Sequence, residues 1–241
     1  IFFSTPFDKT AVDFLEKLNV PVYKVASFEI TDIPLIEYIA SKGKPIIIST
    51  GIATLEDIEL ALETCRNNGC NDITLLKCTS AYPAPLDEVN LLTIADMKKR
   101  FGVKVGLSDH TLGITVPIAA VALGAEMIEK HFILDRKLGG PDAAFSLEPK
   151  EFVEMVKVVR EVEVALGKVS YELTPKILKN KVFARSLFAV KDILEGDIFT
   201  EDNIRSIRPG YGVHPKYYKM LLGKKSKRAI KRGDPLKMED I

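Results

Sequence analysis

The sequence predicts an α/β protein: a (β/α)8 TIM barrel followed by a small β-rich module. Three observations carry that reading. Short β-branched runs alternate with amphipathic helical patterns through the first two-thirds of the 241 residues. The runs start roughly 20 to 30 residues apart, the span of one βα unit. Strands such as Pro45-Ile46-Ile47-Ile48 are apolar on both faces, which suits a parallel sheet covered by helices.

Taken in order, strand patterns fall at residues 1–3, 22–26, 45–48, 73–76, 103–107 and 127–132. Helical patterns lie between them at 11–18, 35–41, 55–67, 92–100 and 116–123. Uninterrupted βα units favour a barrel over a doubly wound sheet, and no Gly-rich dinucleotide fingerprint follows any strand. Residues 148–166 form a long amphipathic pattern with Phe152, Met155, Val156, Val159, Val162 and Leu166 on one face, the helix expected after a last barrel strand. Six strands fall short of eight, so the chain reads as starting inside a barrel. The expected organisation is a barrel over 1–167, a linker over 168–182 and a compact β module over 183–241. That module has its own core of Leu187, Phe188, Ile193, Phe199 and Leu236.

Composition narrows the class. Apolar residues make up 46% and charged residues 28%, and mean hydropathy is +0.08, values of a globular chain rather than a disordered one. No apolar run approaches the roughly 18 to 20 residues of a membrane span, and nothing at the start reads as a signal peptide. Cys65, Cys70 and Cys78 are an odd set without a CxxC pair, which suits reduced thiols and a cytoplasmic location. Residues 1–167 carry 17 Lys and Arg against 24 Asp and Glu, whereas residues 168–241 carry 17 against 9. Such a split fits either an acidic body attracting a basic module, within one chain or across a dimer, or two unrelated solvated surfaces. The basic residues are dispersed among apolar ones without interleaved aromatics, so no nucleic-acid partner is expected.

Barrel enzymes place their reacting groups where strands end. Those ends read Ser4-Thr5-Pro6; Lys24, Ser27 and Glu29; Ser49-Thr50-Gly51; Lys77 through Tyr82; Ser108-Asp109-His110; and Glu129-Lys130-His131. One Ser-Thr-Gly is a good helix N-cap. Several such ends on one sheet, with lysines, suit a phosphate or carboxylate ligand. His110 and His131 at adjacent strand ends suit an open, exchangeable divalent metal such as Mn2+ or Mg2+, although a strand-end histidine also serves as a hydrogen-bonded structural group. His214, beside Pro215, reads as a surface or interface residue. Lys24 and Lys77 leave a second chemistry open, a Schiff base with a carbonyl substrate and Glu29 as acid or base.

Several strings then match a known family. Phe3-Ser4-Thr5-Pro6-Phe7, Tyr23-Lys24-Val25-Ala26-Ser27-Phe28-Glu29, Ile48-Ser49-Thr50-Gly51 and Gly106-Leu107-Ser108-Asp109-His110-Thr111 resemble the nonulosonic (sialic-type) acid synthases. Glu129-Lys130-His131-Phe132 and Gly140-Pro141-Asp142 do so too. The C-terminal module, with Arg185-Ser186-Leu187 and Arg208-Pro209-Gly210, resembles that family's antifreeze-like (SAF) domain. The stretches from Gly140 to Pro149 and from Arg208 to Pro215 look most like the pseudaminic acid synthases within it.

The resemblance implies condensation of phosphoenolpyruvate with an open-chain N-acetylated amino sugar, with loss of phosphate and dependence on a divalent metal (Mn2+, Mg2+ or Co2+). For the pseudaminate branch the sugar is 2,4-diacetamido-2,4,6-trideoxy-altrose. For its relatives it is N-acetylmannosamine or a diacetamido counterpart. His110 and His131 would be the metal ligands, and Thr5, Lys24, Ser27, Ser49 and Ser108 would hold phosphoenolpyruvate. Glu29 would contact the sugar and shuttle a proton, Tyr82 and Asp142 would contact the sugar, and Arg208 would reach the barrel of the other subunit in a domain-swapped homodimer. Flagellin glycosylation is the biosynthetic setting this implies. The family's barrel also begins with about a hundred residues not present here, so the 241 residues alone are expected to be inactive.

Overall fold

The computed structural model describes residues 1–240, which fall into two compact units, 1–168 and 169–240. In the first unit, five helix-flanked strands run parallel in the order β1-β2-β3-β4-β5 and curl into a partial barrel. They are β1 (Tyr23–Val25), β2 (Ile46–Ser49), β3 (Ile73–Cys78), β4 (Lys104–Asp109) and β5 (Ile128–Lys130). The helices are α1 (Lys9–Lys17), α2 (Ile33–Ala40), α3 (Leu55–Asn67), α4 (Leu92–Phe101), α5 (Thr115–Ala122) and α6 (Pro149–Leu166).

Helix starts follow local chemistry. Asp8 accepts from the Ala11 N–H and Asp32 from the Leu35 N–H. Thr54 and Asp57 form a reciprocal capping box on α3. At the other end of α4, Gly102 adopts the left-handed conformation (φ 64°) that closes the helix.

Strand parity organises the sheet. Tyr23, Val25, Ile46, Ile48, Ile73, Leu75, Val105 and Leu107 face the helices and join their core. The register pairs Leu76 with Ser49 and Gly106, and Ser108 with Cys78 and Glu129. Lys24, Ser49, Cys78, Ser108 and Glu129 therefore share the opposite, inner face. Gly106 is required there: a Cβ would lie 2.4 Å from the Met127 carbonyl oxygen.

One expectation needs correction. Residues 1–3 are exposed and form no strand, and only the next residue, Ser4, meets β1 among the described residues, its carbonyl accepting the Lys24 N–H at 3.3 Å. One bond does not make a ladder. On α6 only Met155 is buried, while Val156 and Leu166 are exposed. That helix leaves a cavity of about 240 Å3 beside Val121, Met127 and Phe152. Residues 168–182, read as a linker, contain α7 (Pro175–Lys179), which starts where Thr174 caps the Ile177 N–H and Pro175 occupies the first turn.

The second unit pairs β6 (Ser186–Ala189) antiparallel with β7 (Ile204–Ile207) and adds a short helix α8 (Tyr218–Leu221). Its core is Leu187, Ala189, Ile193, Phe199, Ile204, Val213, Leu221, Ile230 and Leu236. Among the described residues no helix is long and apolar enough to cross a membrane.

Candidate active site

The inner face opens at the C-terminal strand ends into a cleft of about 250 Å3. Thr5, Lys24, Ser27, Ser49, Tyr82, Ser108, His110 and His131 all line it, together with Cys78 and Glu129. The chain thus gathers there most of the residues singled out from sequence.

Lys24 is buried, and its Nζ donates to Ser49 Oγ at 2.7 Å and to the Val25 carbonyl at 3.1 Å. The Glu129 carboxylate stands 3.7 Å away and is itself held by the Ser108 hydroxyl at 2.6 Å. Burial pulls the Lys24 ammonium below its ordinary pKa, against the opposing pull of Glu129. Ser27 Oγ accepts the Gly51 N–H at 3.0 Å. A Cβ at Gly51 would lie 2.8 Å from Ser27 Oγ and nearer still to Ser80 Oγ, so this glycine lets the cleft floor close up.

Glu29 sits in a 3-10 turn (Ser27–Glu29) just beyond β1, where its negative charge acts on Lys24. Its Oε2 is buried with no hydrogen-bond partner. A buried unpaired carboxylate oxygen costs stability unless something else supplies the donor.

The histidine rings are 5.2 Å apart between centroids. His110 Nδ1 lies 3.0 Å from the Thr79 carbonyl, so this nitrogen carries the proton and Nε2 keeps its lone pair. His131 Nδ1 faces Asp142 at 3.4 Å. Tyr82 lies 4.3 Å from His110 and Phe145 lies 4.9 Å from His131, forming an aromatic wall. Burial lowers the His131 pKa, reinforced by the neighbouring His110. For His110 burial also lowers, but Cys78 and the Thr79 carbonyl outweigh it and the net shift is upward. Cys78 mirrors this: burial raises the thiol, and hydrogen bonds from His110 and Ser27 bring it below its usual value.

These two imidazoles fit a divalent metal, because His110 is oriented by the Thr79 carbonyl at Nδ1 and His131 has the Asp142 carboxylate 3.4 Å from its Nδ1. Among the described residues no three His, Cys, Asp or Glu side chains cluster to hold an ion. The remaining ligands would come from water and substrate, as in an exchangeable catalytic site.

Lys77 departs from its expected company. One residue before Cys78, it points to the helix side, donating to the Cys78 carbonyl at 2.8 Å beside a separate cavity bounded by α3 and α4. Arg208 lies in the second unit, exposed at the end of β7. His214, also there, is exposed and accepts the Lys216 N–H at 3.0 Å. Glu129 and Cys78 were missed as site residues. Both stood in strings quoted from sequence, and the period-2 alternation from Ser108 and Ser49 marks them as inward-facing.

Comparison with known proteins agrees with this geometry. The NeuB family profile matches residues 1–171 and the SAF domain profile residues 184–241. The chain belongs to the NeuB family. It is 50% identical over 240 residues to the pseudaminic acid synthase of Helicobacter pylori, covering 99% of this chain and 71% of that protein. It is 45% identical over 226 residues to the N,N'-diacetyllegionaminic acid synthase of Campylobacter jejuni, covering 92% of this chain and 68% of the relative. The crystal structure of the spore coat polysaccharide biosynthesis protein SpsE of Bacillus subtilis superposes with a TM-score of 0.68 at 35% identity, covering 100% of this chain and 73% of that one. The sialic-type synthase fold with its appended SAF domain is therefore the fold of this chain.

Proposed function

We propose that this chain is the pseudaminic acid synthase member of its family, condensing phosphoenolpyruvate with 2,4-diacetamido-2,4,6-trideoxy-altrose. The observation that carries the chemistry is the convergence of a buried lysine, three serine hydroxyls and two oriented histidines on one cleft. The 50% identity to the Helicobacter pylori enzyme supports the sugar assignment.

Lys24, Ser27, Ser49, Ser108 and Thr5 hold the phosphate and carboxylate of phosphoenolpyruvate, a buried cation and hydroxyl donors matched to a dianion. His110 and His131 hold a divalent metal, which supplies Lewis-acid polarisation of the sugar aldehyde when bound. C3 of phosphoenolpyruvate bonds to the aldehyde carbon, and the aldehyde oxygen takes a proton. Water adds at C2 and loses a proton; the C2–O bond to phosphate then breaks, its electron pair leaving with phosphate, as the new C2 hydroxyl gives up its proton to form the ketone. Glu29 and Glu129, the carboxylates nearest Lys24, hold and move those protons. Tyr82 and Asp142 face the sugar.

The setting is cytoplasmic sugar-acid biosynthesis serving flagellin glycosylation, consistent with three free cysteines, all buried. The enzyme works as a homodimer in which the exposed Arg208 completes the sugar pocket of a second copy.

The test is phosphate release from phosphoenolpyruvate by the chain carrying the N-terminal segment of the Helicobacter pylori relative, of which it spans 71%. The 2,4-diacetamido-2,4,6-trideoxy-altrose substrate is compared with N-acetylmannosamine and with the diacetamido sugar of legionaminate synthesis. Release with the first alone is expected. The Campylobacter jejuni legionaminate relative, at 45% identity, makes release with the diacetamido counterpart the result that would reassign the substrate.

A further inference from the structure

The sequence neighbours of the two cleft histidines form a structure of their own. Asp109 precedes His110 and Lys130 precedes His131, so parity turns both away from the cleft toward the helices. There Lys130 Nζ meets Asp109 Oδ2 at 2.5 Å, with both side chains at most 1% exposed. Asp109 also accepts the Thr111 N–H at 3.0 Å and the Thr111 hydroxyl at 3.1 Å, and Lys130 donates to the Thr111 carbonyl. Asp109 and Lys130, at the ends of two strands, and Thr111 just beyond β4 are thereby locked by a closed set of polar contacts.

A buried ion pair is weak evidence for stability, because desolvation opposes the attraction and an apolar pair of similar size often serves as well. Its position says more. The register places Asp109 opposite Lys130 at the very ends of β4 and β5. Beyond them β4 and β5 share no further register pair: the His110 carbonyl accepts the Ala84 N–H at 3.0 Å and the His131 carbonyl the Leu147 N–H at 2.9 Å, so the next residue of each strand is held to a different segment and not to the other strand. Those next residues are His110 and His131.

We propose that Asp109, Lys130 and Thr111 are positioning residues that set the spacing and orientation of the two cleft imidazoles. The metal consequence rests on the function proposed above; the geometric one does not. Without the lock, the ends of β4 and β5 lose their side-chain tie to each other and follow the separate segments at Ala84 and Leu147, so the 5.2 Å ring separation is no longer imposed from strand to strand. Misplacement of oriented ligands by a fraction of an ångström is enough to weaken a site built on only two protein side chains.

The deciding variant is the double replacement D109L/K130M, which removes the polar lock while keeping apolar bulk in the same space. Circular dichroism melting checks the fold of the 241-residue chain. Imidazole NMR of the metal-free chain then follows its three histidines, with His214 as an internal control in the other unit. Mn2+ binding by EPR follows the consequence. The expected result is a folded variant whose His110 and His131 ring signals move while His214 stays, and whose Mn2+ dissociation constant rises about 10-fold or more. A folded variant with unmoved histidine signals overturns the proposal. Mn2+ affinity unchanged from that of the unaltered chain does so as well. If the unaltered chain binds no Mn2+, the metal reading fails and the ring signals alone decide positioning. Should D109L/K130M not fold, T111V is read the same way. It removes one donor to Asp109 and neither charge, so smaller movements of the same two signals are expected and their absence overturns the proposal.

Discussion

Lys24 faces the Glu129 carboxylate at 3.7 Å, with Cys78 and Glu29 also acting on it, while burial disfavours its ammonium. A bound dianion would restore the balance, so Lys24→Met should raise the KM for phosphoenolpyruvate about 10- to 100-fold, as expected for losing charge-assisted hydrogen bonds. Steady-state kinetics in the N-terminally extended chain measure this, and an unchanged KM would remove Lys24 from the anion site. The Asp142 carboxylate stands 3.4 Å from His131 Nδ1, in place to orient the ring when a metal binds its other nitrogen. Asp142→Asn should weaken metal activation about 10- to 100-fold, read from the Mn2+ concentration giving half-maximal rate. At this scale the sequence was legible where residues fall on the inner strand face. It misled at Lys77, grouped with Lys24 because both stand near strand ends. The period of two sends Lys77 to the helix side, and applying that period strictly would have traded Lys77 for Cys78 and Glu129.

Elements carry a different kind of dependence. A Cβ at Gly106 would meet the Met127 carbonyl oxygen at 2.4 Å, a backbone atom that cannot swing aside as the nearby Leu76 side chain could. Gly106→Ala should therefore cost about 1 to 3 kcal/mol through overpacking at the β4–β5 junction, seen as a lower denaturant midpoint. Helix α1 is tied to the sheet by Glu16, which accepts from Lys44 at 2.6 Å and from the Tyr23 hydroxyl at 2.6 Å. The hydrogen bond from Lys44, then that from Tyr23, holds the Glu16 carboxyl below its ordinary value of 4.5. Its folded pKa is depressed, so its contribution is present above pH 4.5 and is lost as pH falls through the folded value. Glu16→Gln should accordingly flatten the acid limb of stability below pH 4.5 and leave the neutral-pH slope unchanged, as urea titrations across that range would show. Helix positions were readable because apolar periodicity and caps agree: α3 spans Leu55–Asn67 as its pattern indicates. The strand expected at 1–3 was not, because β-branched and aromatic composition signals a strand only where a partner ladder exists, and Phe2 is 64% exposed.

For the whole molecule, two units with separate cores are joined by an exposed stretch after α6. Trypsin should cut first among Lys168, Lys176, Lys179 and Lys181, and each fragment should keep its own circular dichroism signal; simultaneous loss of both would contradict separate cores. The barrel class was legible from repeated βα spacing. The depth of the cleft was not, since it depends on how far the curled sheet brings Thr5 and Tyr82 toward the strand ends. The central claim is that one inner-face cleft holds phosphoenolpyruvate on Lys24 and a metal on His110 and His131. It is tested most directly by phosphate release from phosphoenolpyruvate and the diacetamido sugar, with and without EDTA, in the N-terminally extended chain and its His110→Ala variant. The account predicts release that EDTA abolishes and that the variant lacks. Release that persists in EDTA, or in the variant at the unaltered rate, would contradict it.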